Sequence, residues 1–221
     1  MNKPFCALSI FLLLLSIGTG CGSQGVSRFI ITPQPTATSQ PTATLIPGWE
    51  KFEGGGAELW LPESYEGGDL SSDLDFIVEN LRNLGGPEFE QIAQLIEENP
   101  SAFVLYVFDS KIGDSGFLTG VNVTKERVLS SVTLDTYIDM AVKQFPSEFH
   151  FVERAVVSLD RYEARRLVVE LTLAGTRVKE VLYVVKEDNT IWSVTFATGA
   201  DEFDQRLPTF EQSVRTFAVQ P

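Results

Sequence analysis

The loop over residues 109–114 carries the side chains best suited to binding a metal ion. Asp109 and Asp114 offer carboxylate oxygens, Ser110 offers a hydroxyl, and Gly113 allows the chain to turn between them. Oxygen ligands of this kind suit calcium. The loop lacks the alternating acids and the terminal Glu of an EF-hand, and Lys111 adds a repelling positive charge. We therefore expect a solvated turn here, with Asp109 and Asp114 as weak metal candidates.

The sequence offers little for histidine- or serine-based catalysis. The single histidine, His150, lies between two phenylalanines, and no partner is indicated that would orient it as a general base. None of the serines lies in a Gly-x-Ser-x-Gly motif. The acids Asp201, Glu202 and Asp204 stand where the start of a helix favours negative charge. We expect no catalytic residue, although carboxylates that meet only in the folded chain cannot be seen in a linear sequence.

Cys21 is the residue whose surroundings indicate the most specific chemistry. It follows Gly18, Thr19 and Gly20, and an apolar run that begins at Phe5 leads up to them. This arrangement resembles the bacterial lipobox, in which small residues precede a cysteine that receives diacylglycerol. The resemblance implies cleavage between Gly20 and Cys21 and lipidation of Cys21. Gly18 departs from the pattern, since an aliphatic residue is usual there, so an ordinary secretory signal with an incidental cysteine is the alternative.

Composition divides the chain into three parts. Residues 1–20 carry a positive charge near their start, at Lys3, followed by an apolar run. The run is shorter than the roughly 20 residues needed to span a bilayer, and this combination is typical of an export signal. Residues 21–47 contain near-repeats of Gln-Pro-Thr-Ala-Thr, which favour a disordered, extended linker without a core. Residues 48–221 have the mixed composition of one globular domain. A lipidated N-terminus would thus carry a domain on a Pro/Thr-rich tether.

Charge and cysteine content narrow the classes of partner. The chain has 30 acidic and 17 basic residues, and of these only Lys3 and Arg28 lie before residue 48. The globular part therefore carries 15 basic against 30 acidic residues, so it lacks the surplus of cations that nucleic-acid binding requires. Two cysteines, one of them inside the export signal, exclude a disulfide scaffold. An acidic surface could attract a basic partner or serve solubility alone.

Hydrophobic spacing predicts the elements that must position any site. A helical pair is expected over 72–99 with Ser72 as its N-cap, and a third helix from Thr133. The last helix is expected over 203–217, with a kink or a restart at Pro208. Helices inserted in blocks between hairpin-linked strands indicate an α+β domain, an antiparallel sheet flanked by helices. The predicted strands are 49–52, 57–61, 102–108, 118–123, 149–159, 164–173, 176–185 and 191–198.

Short motifs spread over the globular part point to one known family. They are Phe52–Pro62, Tyr162–Ala164, Val168–Glu170, Leu182–Tyr183, Trp192 and Val214–Phe217, in which Thr216 replaces a usual Ser. These motifs resemble the PsbP-like domain, the fold of the extrinsic photosystem protein, a Ran-binding nuclear-import factor and many bacterial lipoproteins of unknown role. The resemblance implies a PsbP-like sandwich over about 49–219 and no shared catalytic centre. The pair over 72–99 looks longer than in the family and could be an addition of this protein.

These expectations lead to a hypothesis about function. The chain is expected to be an extracytoplasmic lipoprotein, anchored in the cell membrane through Cys21, whose domain is a non-catalytic interaction or assembly module. We expect no cofactor and no nucleic acid, and a protein partner whose identity the sequence does not give. Two alternatives stay open: a lipoprotein that binds a small ligand or a divalent cation, with Asp109 and Asp114 as candidates, and a carboxylate-based enzyme. Phe103 and Tyr106 are expected in the core.

Overall fold

The structure, a computed structural model, describes residues 46–84, 86–98, 100–173 and 175–220. The predictions for residues 1–45, including the export signal and the lipidation of Cys21, lie outside the described residues. In chain order the elements are β1 (Trp49–Gly54), β2 (Ala57–Pro62), β3 (Tyr65–Gly68), α1 (Leu70–Leu84), α2 (Pro87–Glu98), β4 (Leu105–Asp109), β5 (Gly120–Arg127), α3 (Leu134–Val142), β6 (His150–Leu159), β7 (Tyr162–Leu173), β8 (Thr176–Glu187), β9 (Thr190–Gly199), α4 (Phe203–Arg215) and β10 (Ala218–Val219). Within the described residues, none of the helices combines the length and the apolar character needed to cross a membrane.

Seven strands form one antiparallel sheet in the order β3-β4-β5-β9-β8-β7-β6. The strands β6 to β9 follow one another as hairpins, and Asp160 and Asp188 adopt the positive φ angles that tight hairpin turns favour. A smaller antiparallel sheet consists of β1, β2 and β10. Gly55 and Gly56 form the turn between β1 and β2, where both φ angles are positive. The predicted α+β architecture with an antiparallel sheet flanked by helices is confirmed.

One face of the large sheet is sealed by α4 and the small sheet. Phe210 of α4 is fully buried and stacks on Phe196 of β9, with 4.9 Å between the ring centroids. Phe217 packs against Trp192 of β9 and Tyr162 of β7. These side chains belong to one continuous apolar cluster that reaches from β2 to β9. We call this side of the sheet the closed face.

The opposite face is covered in separate patches. Ile77 of α1 and Ala93 of α2 lie in one apolar cluster over β4. Leu134 and Ile138 of α3 lie in a second cluster over β7, β8 and β9. Phe149 belongs to a third cluster near the ends of β7 and β8. We call this side the open face, because a cavity lies between its patches.

The predicted element boundaries needed three corrections. Ser72 is not the N-cap of α1, because the helix begins at Leu70 and the carboxylate of Asp69 accepts a hydrogen bond from the Ser71 amide at 2.8 Å. The helix α4 is one continuous element through Pro208, so the restart that was one of the two expectations there does not occur. Its buried face holds it in place despite the missing amide donor. The short strands β3 and β10 were not predicted, since each has too few residues to show an alternating pattern.

Candidate functional site

A cavity lies between α2, the loop that joins β4 to β5, and the middle of the open face. The space inside it is about 670 Å³, including the part that is open to solvent at its mouth. The volume in which the centre of a water-sized sphere fits is about 60 Å³, several times what a single water needs. The cavity therefore has room for a group of several heavy atoms.

The cavity wall is mainly apolar, and its sides come from different elements. The helix α2 contributes Ile92 and Ile96, which recur at the helical spacing of four residues. The loop before β5 contributes Phe117 and Leu118 on another side. The remaining apolar and aromatic lining consists of Phe103, Tyr106, Leu171, Leu173, Val178 and Ala197. A ligand inside would thus have hydrocarbon around most of its surface.

The helix α2 is held over the cavity by its apolar face and by an ion-pair group on its outer side. Phe89 and Ile96 are buried, together with apolar residues of α1. On the outer side, Arg82 of α1 donates hydrogen bonds to Glu90 at 3.1 Å and to Glu97 at 2.7 Å. These contacts join α1 to α2. Of the helical pair predicted over 72–99, the second helix, α2, therefore contributes one wall of the site.

The floor of the cavity contains one carboxyl group, that of Glu180 in β8. Because side chains alternate along a strand, Glu180 shares its face with Val178 and Leu182. Val169 and Ala197 lie opposite it on the neighbouring strands. Glu180 is 4% exposed, and no hydrogen bond or ion pair reaches its carboxyl from the described residues. Burial alone raises the pKa of Glu180 to about 8, so the group is mainly protonated at pH 7.

Asn122 and Tyr106 bring further polar atoms to the cavity. Asn122 of β5 is 3% exposed, and its Oδ1 has no hydrogen-bond donor within the described chain. Tyr106 lies opposite Asn122 in the ladder between β4 and β5. Burial, and secondarily the nearby Glu180, raise the pKa of Tyr106, so its hydroxyl stays protonated. The cavity can therefore hold a polar group through Asn122 and Glu180 while its wall contacts apolar atoms.

Gly120 keeps the floor of the cavity open. It precedes Asn122 on the same face of β5 and lies opposite Ala197 of β9. A Cβ atom at position 120 would lie 3.5 Å from the hydroxyl oxygen of Tyr106, an ordinary contact distance. An alanine would therefore fit, whereas the branches of a larger side chain would occupy the cavity. This position is a means of filling the site without altering its polar groups.

The predicted metal candidates lie at another place. Asp109 is buried at the end of β4, where its carboxylate accepts a hydrogen bond from Arg206 of α4 at 2.8 Å. Arg206 also donates to Glu202 at 3.0 Å, and Glu202 accepts the amide of Ser115 at 2.8 Å. Asp114 is exposed in the loop. Among the residues that the structure describes, no three His, Cys, Asp or Glu side chains form a group that could hold a metal ion. Metal binding by Asp109 and Asp114 stays a prediction.

Two residues of the cavity wall were expected in the core. Phe103 is buried there and Tyr106 packs against the same cluster, and both also line the cavity. His150 is exposed on β6, the edge strand farthest from β3. Glu180 and Asn122 were not predicted as site residues. For Glu180 a signal existed, because strand alternation places this one acid among apolar neighbours. Asn122 gave no comparable signal, since a polar residue in a strand usually faces solvent.

Comparison with known proteins identifies the fold. No family model matches the chain, and no curated protein matches it. The solved structure of cyanobacterial PsbP (CyanoP) from Synechocystis sp. PCC 6803 is similar with a TM-score of 0.51 and 12% identity, over 81% of this chain and 97% of that one.

Two further solved structures are similar at TM-scores below 0.5, and nothing is concluded from them. They are LpqN, involved in cell envelope biogenesis of Mycobacterium tuberculosis (TM-score 0.48, 9% identity, 75% of this chain and 83% of that one), and the immunity protein TplEi of the T6SS from Pseudomonas aeruginosa (TM-score 0.41, 12% identity, 79% and 99%). The likeness to CyanoP concerns the fold alone. This chain has a PsbP-like fold.

Proposed function

We propose that the protein is a non-catalytic binding protein that holds a small, largely apolar molecule in the cavity of the open face. One observation supports this most strongly: the apolar cavity contains the carboxyl of Glu180 and the Oδ1 of Asn122, which lack partners within the described chain. Buried polar groups in folded proteins are nearly always hydrogen-bonded, so such groups are expected to meet a ligand or water. This is the small-ligand alternative, at a place that the sequence did not indicate.

Catalysis in the cavity has less support than binding. Hydrolysis by carboxylates commonly uses two of them, one as acid and one as base or nucleophile. The described lining contains a single carboxyl, that of Glu180, and no histidine. We therefore propose binding without turnover. Specific turnover that is lost in Glu180→Gln but retained in Gly120→Ala would contradict this proposal.

The occupancy of the cavity can be tested with six-carbon ligands and a matched pair of variants. Calorimetry would measure the binding of hexylamine, hexanol and hexanoate to the full chain, to Gly120→Ala and to Gly120→Val. At least one ligand should bind the wild type and Gly120→Ala, and its affinity should fall at least tenfold in Gly120→Val, because the valine fills the floor. Any nonspecific partition of a ligand into the apolar segment before Cys21 would be the same in all three proteins, so a difference between them reports on the cavity. Lack of binding by every ligand, or equal binding to Gly120→Val, would contradict the proposal.

We also propose that the domain is held at the extracytoplasmic face of the cell membrane by a lipid on Cys21. The support is the sequence around Cys21 and the Pro/Thr-rich tether that follows it. Two acyl chains anchor a protein stably, whereas one gives only reversible binding. A fatty-acid analogue fed to the native cells should label the wild-type chain and leave Cys21→Ala unlabelled. Equal labelling of both proteins would exclude the lipid anchor.

A protein partner at the edge strand β6 is the second candidate function. This strand has ten residues and pairs only with β7, so one side of its backbone is open among the described residues. Val152 and Val156 are 55% and 65% exposed along it. An extended segment of a partner protein could add a strand at this edge. The experiment recovers partners from native cells with wild type, Val156→Thr and Val156→Lys. A partner found with the first two proteins and lost with Val156→Lys would support pairing at β6, because an edge lysine opposes strand pairing. Recovery with all three would exclude β6.

A further inference from the structure

Besides two donors, the Tyr106 hydroxyl and the Asn122 amide nitrogen, the cavity contains acceptor oxygens that have no donor within the described chain. The Oδ1 of Asn122 accepts hydrogen bonds only, and the carboxyl of Glu180 becomes acceptor-only when it ionises. No Lys, Arg or His lines the cavity in the described chain, so these oxygens face no positive charge from the protein. A ligand group with more than one hydrogen to donate can pair with the Glu180 carboxylate and still donate to another acceptor in the cavity. A protonated amine has such a group, whereas a hydroxyl donates one hydrogen and a carboxylate none.

The remaining lining also suits a cation that carries hydrocarbon. Phe103, Tyr106 and Phe117 bring three aromatic rings to the same cavity. Cations are attracted to the faces of such rings, and more strongly where water is excluded. The aliphatic side chains of Ile92 and Leu171 line the cavity as well and offer contact to a hydrocarbon chain. The same wall thus serves both halves of an amphiphilic amine.

The charge of the whole domain acts in the same direction. Residues 48–221 contain 30 acidic and 15 basic residues, so the field around the domain attracts cations and repels anions. An anionic ligand would meet repulsion outside the cavity. A neutral alcohol would meet neither attraction nor repulsion.

We propose that the cavity binds a small amphiphilic primary amine, with its ammonium group against the Glu180 carboxylate and its hydrocarbon against α2 and β7. This inference rests on the proposed function, since it presupposes that the cavity takes a ligand. Its size limits the enclosed part of the ligand to about four to six heavy atoms, at 10 to 15 Å³ for each water-sized group. Hexylamine has seven heavy atoms, so the cavity would enclose most of it and leave its remaining atoms at the open mouth.

Binding of an ammonium group has a pH dependence that a neutral ligand lacks. The pKa of Glu180 in the empty cavity is raised to about 8, so at pH 7 the carboxyl must release its proton before it can pair with the amine. The affinity should therefore rise about tenfold from pH 6 to pH 7 and level off above pH 8. Tyr106, the other titratable side chain in the described lining, stays protonated throughout this range because its pKa is raised. The amine itself, with a pKa near that of lysine, stays charged as well.

The test compares head groups of equal chain length. Hexylamine, hexanol and hexanoate would be titrated by calorimetry into the full chain at pH 8 and into its Glu180→Gln variant. The amine should bind the wild type at least tenfold more tightly than the alcohol, and Glu180→Gln should reduce this preference to less than threefold. At pH 7, titrations in two buffers of different ionisation enthalpy should show close to one proton released for each amine bound. Thermal unfolding would verify that the variant folds.

The outcomes separate this inference from the proposed function. If hexanol or hexanoate bound as tightly as hexylamine, and this binding were lost in Gly120→Val, the preference for an amine would be contradicted. The proposed function as a small-molecule binding protein would still be supported. Amine binding without proton release at pH 7 would also overturn the inference, and this readout does not depend on the folding of any variant. Failure of all three ligands to bind would remove the proposed function and the inference together.

Discussion

The closed face and the open face belong to the same seven strands, yet one is sealed and the other holds a cavity. A single row across three neighbouring strands shows the difference. On the closed face, Val121, Phe196 and Val181 lie side by side in register. The adjacent residue of each strand points to the open face, and these three residues, which also lie side by side, are Gly120, Ala197 and Glu180. Large apolar side chains fill the space beneath α4, whereas two small residues and a buried acid leave space beneath α2.

The cavity is encoded in the sheet as much as in the helices. The helical pair and α3 cover different parts of the open face, and small residues in the sheet between them deepen the gap. Ion pairs link the helices on both parts of this face. Arg82 joins α1 to α2, and Arg165 of β7 donates to Asp135 of α3 at 2.7 Å and lowers the pKa of Asp135 to about 2. On the closed face, the apolar contacts of α4 dominate.

The largest expected change in unfolding free energy comes from truncating a side chain of the closed face, and a truncation on the open face serves as the comparison. Phe210→Ala on the closed face should lower the free energy of unfolding by about 3–5 kcal/mol, because it empties a fully buried ring site against Phe196. Ile92→Ala on the open face should cost only about 1–2 kcal/mol, since Ile92 is partly exposed and already borders a cavity. Denaturant unfolding of both variants measures the difference. Equal losses would mean that the two faces are packed alike.

The second prediction concerns the pH dependence of the unfolding free energy that Glu180 causes. Its pKa is raised from 4.5 to about 8 by burial, so the folded state holds a proton that the unfolded chain releases between these pH values. The stability of the wild type should therefore fall as pH rises through this window, by at most about 1.4 kcal/mol for each unit. Glu180→Gln lacks this dependence.

The difference in unfolding free energy between Glu180→Gln and wild type should accordingly grow by about 2–4 kcal/mol from pH 5 to pH 8, in favour of the variant. Burial also raises the pKa values of Glu126 and Glu187, but these residues are present in both proteins and cancel in the difference. Chemical unfolding at several pH values gives the curve. A constant difference would show that Glu180 is not buried as described.

The open face also shows how far the sequence could predict the molecule. The antiparallel hairpins from β6 to β9 followed from apolar runs separated by turns such as Glu187-Asp188-Asn189, because these signals are local. The cavity could not be predicted, because Tyr106, Asn122 and Glu180 come from three strands that meet only in the folded sheet. A linear pattern shows which residues share one strand face, but the neighbours across strands depend on sheet order. The Asp109 loop was noticed by residue type, while its partner Arg206, 97 residues away, was not.

The third prediction concerns the ion pair that joins the two faces at their common edge. Arg206 of α4 pairs with buried Asp109, beside the loop that contributes Phe117 to the cavity. Arg206→Met should cost about 2 kcal/mol, because it leaves the Asp109 carboxylate buried without its cation. Asp109→Asn with Arg206→Met should recover part of this loss. A single variant as stable as wild type would show that the pair contributes nothing to holding the loop.

The smallest expected effect tests the open floor directly. Gly120→Ala should leave the free energy of unfolding unchanged or raise it by up to about 1 kcal/mol, because alanine suits a strand interior better than glycine and its Cβ fits at 3.5 Å from the Tyr106 hydroxyl. The contrasting position is Gly67 of β3, where φ is +131° and a Cβ would lie 2.3 Å from the Tyr106 carbonyl oxygen. Gly67→Ala should therefore destabilise the protein clearly. If Gly120→Ala were the more harmful of the two, position 120 would be tightly packed, and the space attributed to the cavity would not exist.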